Sequence, residues 1–574
     1  MSSPPSGSAS FYHGSRFCQH CRGASCMLYL LAKKEGRQQG MKRSVKRVDS
    51  KYITIRGDLC RRIHLNYARL ESKHYRPEHI FGADQSGWPG DWEGRTILAL
   101  VKLKAATGRE PAYLERILEL LPARLNEKGY LGPVYEQDAE SALPVFNEQQ
   151  LSGHNWLLRG LLEYWLISRS DAVKSMAEQI VRNLYLPLTG HYSTYPKDPA
   201  ERSGGGRYDG NISGRVRNWY ISTDVGCAFM CLDAISQAYE IFGDPACKKL
   251  ADEMIASLCT IDLLGVQMQT HATLSAARGI LRMYGATGTP FYLETAEKLF
   301  GTYTACGMTE NYANINWFGR SDTWTEPCAI VDSCLLAMEL YRYTLRYEYL
   351  SLANRIYRNA LCYAQRMNGG FGCDTCVTAP DQKLLHPHAG GLSEAFWCCT
   401  MRGAEGLSYL GQNALFYSET ENGSVETIYI NLLEDFDAEP DAYELHVRAA
   451  YPEQGGVSIR FFNKTAKAVN LIVYNPVKGS PLTYSAEPGA SLFRPEITVS
   501  PVYDGKRLWF GDLILGIKGI CKGHEIDAPS LKQLEYLGAG KYKYRGTEYF
   551  LEPLGDMADL EYEETAKESR QILF

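Results

Sequence analysis

The chain has 574 residues, of which 45% are apolar and 22% charged; these values lie near the globular averages and exclude a mainly disordered, collagen-like or coiled-coil protein. Lys and Arg number 61 against 66 Asp and Glu, a formal charge of −5, and so mildly acidic a surface argues against nucleic acid as a partner. No apolar run approaches the ~20 residues that cross a bilayer.

Residues 1–50 are rich in Ser, Gly, Lys and Arg, lack periodicity and read as extraneous to the fold, with Met41 as an alternative start. The first apolar stretch, 27–32, sits behind a polar segment and does not form a secretory signal. With 17 cysteines in so long a chain, the reading is a reducing cytoplasm in which most cysteines are small buried hydrophobes. Cys18 and Cys21 form a C-x2-C pair, but a zinc finger needs a second pair nearby and none follows.

Residues 51–415 form the expected barrel, with helical periodicity from about 58 to 412. Ile97, Leu98, Val101 and Ala105 share a face, as do Trp156, Leu157, Leu161 and Trp165. The helices come in pairs whose breaks repeat: Thr107-Gly108, Phe242-Gly243 and Thr287-Gly288. Second helices resemble one another, as in Tyr292-Leu293-Glu294 and Tyr349-Leu350-Ser351. About twelve helices in six hairpins predict an (α/α)6 barrel, although an open solenoid makes similar hairpins. Long Gly- and Tyr-rich links favour the barrel with functional loops. From 416 to 574 the period becomes two: Leu445, Val447 and Ala449 alternate with polar residues, as do Val457, Ile459 and Phe461. Turn signals between such runs predict one or two β-sandwich domains.

Trp397-Cys398-Cys399 precedes the last helix. Adjacent cysteines bond poorly to each other and suit a shared metal. Upstream, Glu326-Pro327-Cys328 opens another helix, with Pro at a favoured first position. Glu326, Cys328, Cys398 and Cys399 together offer one carboxylate and three thiolates, a tetrahedral Zn²⁺ shell. Four anionic ligands around one dication leave excess charge on sulfur. A structural zinc, a metal-held nucleophile and no metal at all remain open. Cys373-Asp374-Thr375-Cys376 is a competing C-x2-C pair for Cys398 and Cys399, and His386-Pro387-His388 is a weak further candidate.

The Glu-x-Cys motif at Glu326 and Cys328, followed by the Cys-Cys pair about seventy residues on, resembles glycoside hydrolase family 127, the β-L-arabinofuranosidases, and the related family 146. The resemblance spans most of 51–574. Asp91-Trp92-Glu93-Gly94-Arg95, Leu151-Ser152-Gly153-His154, Thr270-His271-Ala272, Tyr357-Arg358-Asn359 and Ile428-Tyr429-Ile430-Asn431 follow in the family's order. It implies a retaining exo-glycosidase with Cys398 as nucleophile and Glu326, Cys328 and Cys399 as co-ligands of zinc. It implies Glu310, sixteen residues before Glu326, as the general acid/base. His154 and His271 resemble the family's sugar-binding histidines, though each could instead be a satisfied core histidine. Pro327 replaces the family's usual Thr, Thr400-Met401-Arg402 follow the Cys pair, and Asp224-Val225-Gly226 stands where a His-rich segment is expected. These departures bear on sugar specificity. The substrate class implied is a small carbohydrate, a β-L-arabinofuranoside or related sugar, processed intracellularly; a homodimer is the assembly left open. The rival readings are an (α/α)6 glycosidase using two carboxylates, Glu310 with Asp322 or Asp332, and a non-catalytic carbohydrate-binding protein with structural zinc.

Overall fold

The computed structural model describes residues 45–82, 87–202, 210–377, 384–385, 394–452, 456–518, 530–556 and 570–571. Cys18, Cys21, His386 and His388 lie outside the described residues. Twelve helices of seven residues or more occur among those described: α1 (Gly57–Leu70), α2 (Asp91–Thr107), α3 (Leu114–Leu120), α4 (Glu148–Ser168), α5 (Asp171–Ile180), α6 (Cys231–Phe242), α7 (Pro245–Leu258), α8 (Thr270–Thr287), α9 (Pro290–Cys306), α10 (Pro327–Thr344), α11 (Tyr347–Ile356) and α12 (Cys399–Gln412). The repeated breaks act as helix stops. Gly108, Gly243 and Gly288 adopt φ of +68°, +70° and +70° and end α2, α6 and α8, a conformation that costs glycine nothing. Restart signals follow: Asp244 Oδ1 accepts from the Ala246 N–H at the start of α7.

The even-numbered helices α2 to α12 each pack against the next, and α12 packs back against α2. The ring is closed, so the barrel and not the solenoid is formed. The remaining helices lie outside, each on its inner neighbour; α1 packs on α12, and these are the first and last of the twelve among the described residues. Inner helices are buried nearly all round. On α4, every residue from Glu148 to Leu162 is buried. Close approach depends on glycine: a Cβ on Gly94 of α2 would lie 2.0 Å from the backbone nitrogen of Leu157 on α4.

The C-terminal strands form two five-stranded sheets and a third, larger one. The first sheet runs β1 (Lys46–Arg47), β3 (Leu415–Glu419), β4 (Val425–Ile430), β8 (Val469–Val473), β9 (Leu482–Ala486); the second runs β10 (Gly489–Phe493), β7 (Val457–Asn463), β6 (Tyr443–Ala449), β5 (Phe436–Ala438), β2 (Ile53–Ile55). Val457, Ile459 and Phe461 of β7 are buried and alternate with more exposed neighbours, as the period-two pattern requires. Asn463 Nδ2 donates to the Ala486 carbonyl at 3.0 Å, joining the two sheets. The third sheet includes β11 (Pro501–Tyr503) and β12 (Leu508–Phe510).

One expectation needs amendment. Residues 45–50 are not extraneous: β1 pairs with β3 and, just beyond residue 50, β2 pairs with β5. The sandwich is therefore completed by strands that precede the barrel. Residues 1–44 lie outside the described residues. Among the described residues, no helix is long and apolar enough to cross a membrane.

Candidate functional site

Each half of the Glu-Cys-Cys-Cys cluster stands at the start of an inner helix. Glu326 is the capping residue of α10, with Pro327 at the first helical position, where a missing N–H is no loss. Cys398 occupies the corresponding position on α12, and Cys399 opens that helix. Because α10 and α12 are ring neighbours, their two starts bring the four side chains together. All four ligand atoms lie within 4.8 Å of one another. Cys399 Sγ is 3.6 Å from Cys328 Sγ and 3.3 Å from Cys398 Sγ. A tetrahedral zinc with bonds of ~2.3 Å sets its sulfurs ~3.8 Å apart, so both the spacing and the borderline-soft donor set fit zinc.

The surroundings favour negative charge here. Two helix starts present their positive ends. Arg95 Nη1 donates to Cys328 Sγ at 3.5 Å; Arg95 is itself paired with Asp91 at 2.8 Å and lies 4.1 Å above the Trp156 ring. Burial pushes the Cys328 and Cys399 thiols well above the ordinary thiol range. For Cys398 the hydrogen bond from Cys328 favours ionisation, but the one to Cys399 and burial outweigh it, and that thiol is pushed up as well. A cation among the sulfurs would reverse this and hold them as thiolates. Glu326 differs: burial disfavours its charge, but His271 and Arg95 outweigh burial and hold the carboxyl below its usual range.

The cluster opens into a cavity of about 320 Å³ whose wall includes Trp88, Trp317, Trp324 and Trp397, and also Asp91, Asp224 and His271. Four of the chain's nine Trp therefore meet in one cavity, which concentrates flat apolar surface beside the sulfurs. Trp397 is 38% exposed, and Cys398 beside it is half-buried, whereas Cys328 and Cys399 are buried.

The other residues singled out in the sequence fall in different surroundings. His154 does not line the cavity. Its Nδ1 lies 2.8 Å from the Gln150 carbonyl and its Nε2 accepts from the Leu131 N–H at 2.9 Å. With both nitrogens used and no exposed surface, it is a satisfied core histidine. Glu310 also stands apart from the cavity wall. Its carboxylate is engaged by Lys506 at 3.2 Å and Arg507 at 3.6 Å, and Arg507 donates to its carbonyl at 3.0 Å. The turn between β11 and β12 thus captures the carboxylate expected to serve as acid/base. Of the carboxylates in the two-carboxylate readings, Asp322 is exposed and paired with Arg320, whereas Asp332 is fully buried. Cys373 lines the cavity beside Cys399, but Cys376 Sγ donates to the Asn314 carbonyl at 3.6 Å, so only one cysteine of that C-x2-C pair reaches the cluster. Sequence reasoning had not assigned roles to Arg95 or the cavity tryptophans. The four-residue spacing of Asp91 and Arg95 on one helix was the available signal for the former.

No family model matches the sequence, and no curated protein matches it. Solved structures do. A protein described as a glycoside hydrolase is 12% identical, with 93% of this chain and 98% of that chain covered at a TM-score of 0.62. A β-arabinofuranosidase of glycoside hydrolase family 127 is 12% identical over 93% and 98% at 0.61. A family 127 β-L-arabinofuranosidase from Geobacillus stearothermophilus T6 is 12% identical over 91% and 99% at 0.59. The chain shares the fold of these proteins across nearly its whole length.

Proposed function

We propose that this protein is a retaining glycoside hydrolase that uses Cys398, held by zinc, as its nucleophile. The observation that carries the reading is the convergence of Glu326, Cys328, Cys398 and Cys399 at the wall of a tryptophan-lined cavity. The shared fold with β-L-arabinofuranosidases supports a small furanoside, a β-L-arabinofuranoside first, as substrate. Glu326, Cys328, Cys398 and Cys399 would hold the zinc, whose charge would keep sulfur ionised at neutral pH. Cys398 Sγ attacks the anomeric carbon while the bond to the leaving oxygen breaks, giving a thioglycoside. A carboxylic acid on the opposite face donates the proton that oxygen needs, then takes one from the water that cleaves the C–S bond. Asp224 lines the cavity and Glu310 does not, so this reading gives Asp224 the acid/base role and leaves Glu310 to dock the C-terminal turn. Indole faces offer stacking surface to the sugar's C–H side.

A panel of nitrophenyl glycosides and their alkyl counterparts, which have poor leaving groups, with zinc measured on each protein, tests the proposal. Cys398→Ser should abolish turnover. Asp224→Asn should cost roughly 10²- to 10⁴-fold on substrates with poor leaving groups, whereas Glu310→Gln should stay within a few-fold of the parent. Turnover retained by Cys398→Ser would overturn the sulfur mechanism. Sugar binding without turnover by the parent on every glycoside would favour a binding protein with structural zinc.

A further inference from the structure

Beneath the cluster, three inner helices meet around one histidine. His271 is the second residue of α8. Its Nδ1 lies 3.2 Å from Glu326 Oε1, and its Nε2 lies 3.4 Å from Asp332 Oδ2. Asp332 belongs to α10, as Glu326 does at its cap. It has no exposed surface and is fixed from several sides. Ser275 and Arg278 of α8 each donate to it at 2.5 Å, and Arg402 of α12 donates to the same carboxylate. Trp156 of α4 stacks on the His271 ring at 5.6 Å with an interplanar angle of 18°. The ring is thus clamped on one face and between two carboxylates at its edges, with only 2% of its side chain exposed.

We infer that His271 is a positioning residue: His271, seated beside Asp332, aims the Glu326 carboxylate at the metal. The inference rests on the proposed metal site. Its physical basis is that Glu326 is the one ligand without a soft sulfur. A carboxylate on a rotatable side chain pays an ordering cost on binding a metal unless a partner holds it beforehand. His271 Nδ1 faces the Glu326 carboxylate at 3.2 Å, whereas Nε2 stands 3.4 Å from Asp332 without a well-formed hydrogen bond. Asp332 is not part of the cavity wall, so any effect of changing it must travel through His271 or the arginines.

Zinc affinity measured by chelator competition, with melting temperature recorded on the same samples, tests this. His271→Ala should weaken zinc binding roughly 10- to 100-fold, and Asp332→Asn should shift it in the same direction. In a Glu326→Gln background, His271→Ala should change zinc affinity by less than about threefold, because the carboxylate it orients is gone. Excess zinc should restore much of the turnover of His271→Ala. His271→Gln keeps length and one donor, so it should retain more zinc affinity than His271→Ala and replaces it if the alanine variant does not fold. Zinc affinity within about threefold of the parent, with KM for the glycoside raised tenfold or more, would overturn the inference and return His271 to sugar binding. A parent protein that binds no zinc would instead overturn the metal site itself.

Discussion

His154 and His271 are both buried histidines on inner helices, and their partners separate them. His154 is ringed by a backbone carbonyl and a backbone N–H, and burial lowers its pKa to about 4, against ~6.5 in an unfolded chain. Its neutral form is therefore fully compatible with the fold above ~pH 6.5. As pH falls from there toward 4, the unfolded chain takes up a proton that the folded chain refuses, and stability declines by about 3 kcal/mol. Urea unfolding between pH 7.5 and 4.2 should show this loss, and His154→Gln should remove that share of the slope. The four cluster residues were legible in the sequence because two short motifs at helix starts carry them. The role of His154 was not, because its Nε2 is satisfied by the peptide N–H of Leu131, and backbone groups leave no sequence mark. Nor could spacing show that Lys506 and Arg507, almost two hundred positions on, would occupy Glu310.

Helix ends and helix contacts make different demands on glycine. Stops such as Gly243 are readable, since a Gly followed by Asp between two apolar-periodic runs is a terminator next to an N-cap. Contact glycines are not readable, because nothing local distinguishes them from any other helical glycine. At Gly94 a Cβ would strike the α4 backbone, and at Gly160 it would lie 2.9 Å from the Gly94 carbonyl. Gly94→Ala should therefore cost at least ~3 kcal/mol by chemical denaturation, since backbone cannot yield as a flexible side chain would. Gly243→Ala meets open space and only an unfavourable φ; it should cost ~1–2 kcal/mol. These helix placements also carry the chemistry, as the cluster exists only if α10 and α12 start at the same level of the ring.

Across the whole molecule, the alternation of apolar and polar residues announced the sandwich but not its full membership. β1 and β2 are two and three residues long, too short to register as strands in a basic, Ser-rich neighbourhood. Yet each adds an edge to a different sheet. Arg47 pairs with Glu339 of α10 and donates to Asn413 at 2.8 Å, while Arg56 pairs with Asp437 at 2.6 Å. Deleting residues 45–56 should uncover two sheet edges and these pairs together, lowering the melting temperature by at least ~5 °C and promoting aggregation at the bared strands; circular dichroism melts and light scattering check both. The pairing of α1 with α12 carries a temporal consequence. During synthesis α1 must wait, the flank that meets α12 uncovered, until the chain from Leu70 to Cys399 has left the ribosome. Cys398 and Cys399 emerge at that same late moment, so the ring and its sulfur cluster are completed together and a prematurely terminated product would possess neither.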